Sequence, residues 1–366
     1  MVKLGVALNE DLLTPDPVRR RLLLDHIAAA GLDHVTTGDH ISFHDGSGFD
    51  GLVTATAMLA THDQVNVVVG VYLAALRHPM LTARQLATLS QIAPGRLVLG
   101  VGVGGDDRNE VANAGVDPGT RGRRLDETLE ILHSLASGEP LTFHGEFFQL
   151  REARVIPAPC PPVPLVVGGG GETAVRRTAR FGDGWLGIFC SARRFADTVD
   201  RIRVATAELG RPDPWWFGVS MWCGMSENGI GARTLLGSRL ETLYQMPAEK
   251  FERVTAAGTP ENVADRLAPF VAAGAEHITL ITVAKDPVEG VILAGEVRRL
   301  LQKRRDPCIA CTGHGLTTAH ANPPLADHDT RRTRASPAAN TKRPQRLPCP
   351  KACNKWSNQS QYRHGT

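Results

Sequence analysis

The chain lacks any long apolar run. No stretch approaches the roughly 20 residues needed to cross a bilayer, and no apolar leader follows Met1. A membrane-embedded protein is therefore not expected, and cytoplasmic residence is. Cysteine is scarce, with seven in 366 residues, odd in number and widely scattered. That argues against a disulfide framework and for a reducing compartment. A surplus of positive charge is missing where it would matter. Of the chain's 41 Lys/Arg and 38 Asp/Glu, residues 306–366 hold nine and three, so 32 and 35 remain before them. The body is mildly acidic and carries no footprint for nucleic acid, despite a formal net charge of +3.

The last 61 residues lack the means to fold. They contain no Val or Phe, four Leu/Ile and seven prolines, with neither helical nor strand period. Burial on that scale does not offset a backbone ordering cost of about 1–2 kcal/mol per residue. The expected organisation is one folded domain, 1–305, and a disordered, basic, Pro-rich tail, 306–366. The change of character after Arg305 also reads as out-of-frame sequence. Cys308-x-x-Cys311 and Cys349-x-x-x-Cys353, near His314 and His320, have the spacing of a zinc module. No apolar set accompanies them to pack around a metal, so none is expected.

What the body does contain is alternation. Short apolar runs (Lys3–Leu8, His34–Thr37, Val65–Gly70, Leu97–Val101, Leu165–Gly168, Trp185–Phe189, Trp215–Met221, His277–Val283) alternate with amphipathic segments. The runs show no period-two pattern, which suits strands covered on both faces. Eight such units predict a parallel (β/α)8 TIM barrel, with an open doubly wound sheet as the runner-up. Leu141–Leu150 alternates around a glycine and reads as an inserted hairpin. Residues 224–258 are irregular and read as an insertion with short helices, on which substrate choice would depend.

The central stretch is Arg96-Leu-Val-Leu-Gly-Val-Gly-Val-Gly-Gly-Asp-Asp-Arg-Asn-Glu110, a strand ending in glycines and polar groups. Gly100-x-Gly102-x-x-Gly105 satisfies a dinucleotide fingerprint, but roughly fifteen residues separate it from the clear helix that starts near Thr120. A fingerprint's glycines open their helix directly, usually in the first βαβ unit. In a barrel the site lies at the strands' C-terminal ends. That gathers Asp39 and His40, Gly70 and Val71, Gly104 to Asn109, Gly168 to Gly171, and Phe189 to Ser191. The four glycines 168–171 open a helix and form a natural phosphate cradle, with Thr173 and Arg176 or Arg177 as added donors. His40 is the best acid–base candidate, with Asp39 beside it to raise its pKa if the loop bends.

The chain resembles the luciferase-like monooxygenase superfamily, in its deazaflavin (coenzyme F420)-dependent oxidoreductase branch. Thr37-Gly-Asp-His40, Arg96-Leu-Val-Leu-Gly-Val-Gly102, Thr120-Arg-Gly-Arg-Arg124 and Phe143-His-Gly-Glu-Phe-Phe148 carry the resemblance. So do Gly168-Gly-Gly-Gly171, Phe181-Gly-Asp-Gly-Trp185 and Gly258-Thr-Pro-Glu261. It spans residues 1–303. It implies a barrel with the flavin analogue across the strand ends, and Asp39 and His40 facing cofactor and substrate. It further implies a bulged, often cis peptide at Gly70–Val71, a polar contact from Asn109 and a phosphate grip at Gly168 to Gly171, with Phe189 among the cofactor contacts. Relatives place a catalytic glutamate after the fourth strand. Here the loop reads Gly105-Asp106-Asp107, which leaves Asp106 as a shorter acid or no acid there.

Three functions follow. The first is hydride transfer between F420 and a small organic substrate, with His40 moving the proton. The second is an FMN-dependent monooxygenase using reduced flavin and oxygen. The third is a non-catalytic flavin-binding protein. The expected partner is a small-molecule substrate, with a homodimer as the assembly to test for, and neither nucleic acid nor membrane.

Overall fold

The computed structural model describes residues 2–304, except Asp45, Gly105 and Asp106. The expectations for Asp106 and for the tail, its cysteines included, lie outside the described residues.

Eight strands form the barrel: β1 (Lys3–Ala7), β2 (His34–Thr37), β3 (Asn66–Tyr72), β4 (Leu97–Val101), β5 (Leu165–Gly168), β6 (Gly184–Ile188), β7 (Trp216–Met225) and β8 (His277–Val283). All pair in parallel in chain order, and β6 closes the ring onto β7, with Ser220 opposite Ile188. The open-sheet reading is thereby set aside. Helices such as Pro17–Ala29, Pro79–Ile92 and Pro287–Lys303 begin at proline, whose missing N–H is no loss in a first turn. Asp16 and Asp286 accept the free N–H groups at two of these starts.

The strands' outward residues (Leu4, Val6, Val35, Val67, Leu99, Val167, Val219, Leu280) meet Leu24, Ile27, Leu86, Leu129, Ile202 and Val291 from the helices in one continuous core. Each fully buried aliphatic is worth about 1.5–3 kcal/mol against exposure. The barrel interior differs. Val68, Val166, Leu186 and Trp216 form a separate cluster there. Beside it the base holds His34, Thr36, Thr279 and His277. His34 Nε2 lies 3.0 Å from Thr279 Oγ1, and the Trp216 and His277 rings stack at 4.3 Å.

The hairpin is present as Leu141–His144 paired antiparallel with Gln149–Ala153. The 224–258 reading needs correction on one point. Its first residues belong to β7, which continues to Met225 because a short strand, Ala256–Gly258, pairs with Cys223–Met225. Between them lies a 13-residue helix, Ala232–Tyr244, longer than the short helices expected. No helix among the described residues is long and apolar enough to cross a membrane.

Candidate active site

His40 follows β2, and its partner is not the adjacent carboxylate. Its Nδ1 lies 3.2 Å from both oxygens of Glu110, a fully buried side chain. Glu110 Oε1 also accepts the backbone N–H groups of Ile41 (2.7 Å) and Ser42 (3.2 Å). The carboxylate thus fixes both the ring and the loop that carries it. Glu110 sits on a short helix, Arg108–Asn113, capped by Asp107, which accepts from Asn109 N and Glu110 N. Asp107 also accepts the His44 N–H at 2.8 Å. That bond, foremost, holds its carboxyl below the usual range, with the two cap bonds adding to it. With Nδ1 committed to Glu110, Nε2 is the ring nitrogen without a hydrogen-bond partner among the described residues.

Asp39 turns the other way. Its oxygens accept Arg77 Nη1 and Nη2 at 2.8 and 2.9 Å, and the N–H groups of Leu73 (2.7 Å) and Gly51 (2.8 Å). Arg77 also reaches Asp50 at 2.9 Å and lies over the Tyr72 ring. Adjacent residues on extended backbone point apart, and the loop does not bend enough to reverse that. The expected Asp39–His40 pairing is therefore not formed. Asp39 is a buried anchor that ties the end of β2 to the end of β3.

The Gly70–Val71 peptide is cis, and the β3–β4 register shifts between Val69 and Tyr72. The Val71 side chain lies against glycines of the next two strands. A Cβ at Gly102 would stand 2.6 Å from Val71 Cγ2, and one at Gly168 would stand 2.7 Å from Cγ1. Two of the glycines in the central stretch and the cradle are therefore required by packing, since no side chain fits beside Val71.

At the end of β5, Gly169 and Gly171 have positive φ (105° and 77°), and a Cβ at either would meet nothing within 4 Å. The helix Gly171–Phe181 starts with no side-chain cap, which leaves N–H groups at its positive end open to a ligand. Trp185 Nε1 donates to Gly169 O at 2.8 Å and holds the loop. Of the donors expected there, Arg177 is committed to Asp126 (2.5 Å) and Gly122 O (2.8 Å), while Arg176 is exposed. Arg194 stands by instead, its Nη2 3.5 Å from a Cβ placed on Gly170. Asn109 is exposed beside Glu110. Phe189, at φ 50°, contacts Tyr244 and Phe251, both at 5.5 Å between ring centroids.

Sequence reasoning missed Glu110, Arg77 and Arg194. Glu110 stood inside the polar block already singled out. The signal was Asp107 three residues earlier, a cap that starts a helix and turns its first turn back to the strand ends. Among the described residues no group of His, Cys, Asp and Glu could hold a metal ion.

Comparison with known proteins places this mouth in context. Residues 13–229 match the family model for luciferase-like monooxygenase. An F420-dependent glucose-6-phosphate dehydrogenase of Kineococcus radiotolerans is 36% identical over 162 residues, 43% of this chain and 48% of that protein. An uncharacterised Mycobacterium tuberculosis protein is 32% identical over 155 residues, 42% of this chain and 53% of that protein. The chain thus spans about half the length of these curated relatives. Among solved structures, an F420-dependent secondary alcohol dehydrogenase in complex with an F420-acetone adduct superimposes with TM-score 0.72 at 20% identity, over 82% of this chain and 99% of that one. A monooxygenase of Streptomyces bottropensis gives 0.67 at 21%, over 82% and 98%. At such identities the likeness is one of fold. The family match covers more than half of the sequence: the chain belongs to the luciferase-like monooxygenase family.

Proposed function

We propose that this chain is an F420-dependent oxidoreductase that transfers hydride between the deazaflavin and a small organic substrate. The observation that carries the reading is His40, held through Nδ1 by a buried glutamate at the mouth where the uncapped glycine cradle opens. The residues fit the cofactor. Gly168 to Gly171, with the free N–H groups of the helix start and Arg194 alongside, offer a site for phosphate. Val71, backed by Gly102 and Gly168, offers an apolar surface beside it for a flat ring. Asn109 adds an exposed amide at the same end of β4. The bound deazaflavin would supply a ring carbon that accepts or releases hydride.

The chain's own residues supply the rest. Nε2 of His40 takes or returns the proton of the substrate's polar group. Glu110 keeps the proton on Nδ1 and so keeps Nε2 available as an acceptor, and its charge stabilises the imidazolium that forms. The Asp39–Arg77–Asp50 anchor ties the loop after β2 to the end of β3. The F420-dependent names among the relatives support the cofactor, and a structural neighbour solved as a riboflavin lyase with modified FMN keeps FMN as the competing one.

Titration of the purified chain with F420 and with FMN, followed by fluorescence, tests the proposal. Saturable binding of F420 in preference to FMN is expected. Preference for FMN would replace the reading with the flavin monooxygenase. F420 binding without turnover of any alcohol or carbonyl compound would favour a binding protein.

A further inference from the structure

Asp107 serves two elements at once. Its Oδ1 accepts Asn109 N (2.9 Å) and Glu110 N (3.3 Å), which caps the helix Arg108–Asn113. Its Oδ2 accepts His44 N at 2.8 Å, from the loop after β2. The carboxylate side chain is 8% exposed, and the His44 ring stands off from it, with Nδ1 at 4.0 Å. The tie is therefore to the His44 backbone rather than to its imidazole. One oxygen sets where Glu110 stands, and the other sets where residue 44 stands.

Both routes end on His40. Glu110 holds its Nδ1 edge at 3.2 Å. The Phe43 ring lies against the imidazole at 4.3 Å between centroids, tilted by 36°, and contacts the His44 ring at 4.0 Å. His44 adopts the left-handed region at φ 48°, a conformation that residues other than glycine take up uncommonly. Its bond to Asp107 favours that conformation, and the turn is fastened further by Phe43 N to Ser47 O (2.9 Å) and Gly46 N to Phe43 O (3.0 Å). The loop then returns to His40. A Cβ on Gly48 would stand 2.6 Å from His40 Cβ, and His40 N donates to Phe49 O at 3.1 Å. An imidazole held at one nitrogen alone can still swing about that bond. Contact with Phe43 restricts the swing while Nε2 keeps no hydrogen-bond partner among the described residues.

We propose that Asp107 is a positioning residue for His40, acting through Glu110 by one oxygen and through His44 and Phe43 by the other. The inference rests on the oxidoreductase reading, because it assigns what aims Nε2 at the transferred proton. A misplacement of about 1 Å can lower a rate roughly 100-fold, so an orienting contact outside the chemistry has a measurable effect. The division of work between the two oxygens separates aspartate from asparagine. Asparagine caps a helix about as well as aspartate. Its single side-chain oxygen, once on the cap, leaves the amide NH₂ facing the His44 N–H, donor against donor. A capping role alone is thus rescued by Asp107→Asn, and the positioning role is not.

The test compares Asp107→Asn, Asp107→Ala and Phe43→Leu with the wild type, each as the full chain. Melting temperature reports the cap. The exchange rate of the His40 Nδ1–H with water, read by ¹⁵N NMR in the cofactor-free chain, reports the hold on the ring. F420 turnover with a series of simple alcohols and ketones gives kcat and KM separately, and fluorescence gives F420 affinity. Asp107→Asn should keep the melting temperature, yet speed Nδ1–H exchange about tenfold. It should lower kcat roughly 10- to 100-fold, with KM and F420 affinity little changed. Phe43→Leu should show the same pattern, and Asp107→Ala should add a lower melting temperature. If Asp107→Asn does not fold, Phe43→Leu decides by the same measures. Wild-type exchange in Asp107→Asn and Phe43→Leu, or faster exchange with kcat unchanged, overturns the positioning role and leaves Asp107 a helix cap. Absence of F420 binding or turnover in the wild type overturns the oxidoreductase reading instead, and exchange in the cofactor-free chain still decides whether Asp107 orients His40.

Discussion

The two ends of the barrel use the same side chain for opposite purposes. At the mouth, His40 is partly exposed and bonded to a carboxylate. At the base, His34 and His277 are buried among threonines and Trp216. Burial is the largest influence on both and favours the neutral ring. His34 is lowered to about 4, with Asp33 opposing and Lys3 adding a little, and His277 is lowered to about 2, with His34 and Lys3 adding. Environment thus separates a histidine held against a carboxylate at the mouth from two kept neutral as packing at the base.

The largest effect expected is at the mouth. His40→Ala should lower turnover with F420 by roughly 10²–10⁴-fold, the usual worth of a positioned acid or base. The melting temperature and the F420 dissociation constant should change little. Near wild-type steady-state turnover, limited by chemistry, would break the assignment. Asp39→Ala should show the reverse pattern. Removing one partner of a buried ion pair typically costs about 3–5 kcal/mol, and the low end applies because Asp50 still holds Arg77. Urea unfolding would report it, and a purely catalytic defect at full stability would restore Asp39 to the chemistry.

Next comes acid sensitivity at the base. Both histidines have folded-state pKa values below the unfolded value of about 6.5, so between those values the unfolded chain binds more protons. Their contribution is fully present above pH 6.5 and is lost as pH falls below it. At pH 5 the loss is roughly 2 kcal/mol for each. His277→Phe, which keeps a ring beside Trp216, should shed its share of the loss between pH 7 and pH 5. An identical pH slope in the variant would remove His277 from the account. The smallest effect is Trp185→Phe, which deletes one bond to Gly169 O and should cost about 1 kcal/mol and loosen F420 binding only slightly.

The sequence carried the barrel better than it carried the site. Leu97–Val101, His34–Thr37 and His277–Val283 have in the structure the bounds read from their apolar runs, because a strand covered on both faces leaves a local signature. The end of β7 was lost because Cys223–Met225 is a strand only through its pairing with Ala256–Gly258, a contact between distant residues. The site failed for the same reason. Asp39 and His40 are neighbours in sequence, yet their partners Arg77 and Glu110 are 38 and 70 residues away. The cradle glycines were legible because a positive-φ turn into a helix is a local demand. The inward-facing base histidines gave no local sign, since polar residues inside a barrel look like breaks in an apolar run.

The most direct test of the contrast is the imidazole ¹⁵N spectrum of the histidine-labelled chain at pH 7 and pH 5. His40 is expected to carry its proton on Nδ1 at pH 7, with a resonance that shifts when Glu110→Gln removes the carboxylate charge, and His34 and His277 are expected to be still neutral at pH 5. A His40 ring protonated on Nε2 instead and indifferent to Glu110→Gln, or a charged His34 or His277 at pH 5, would contradict it.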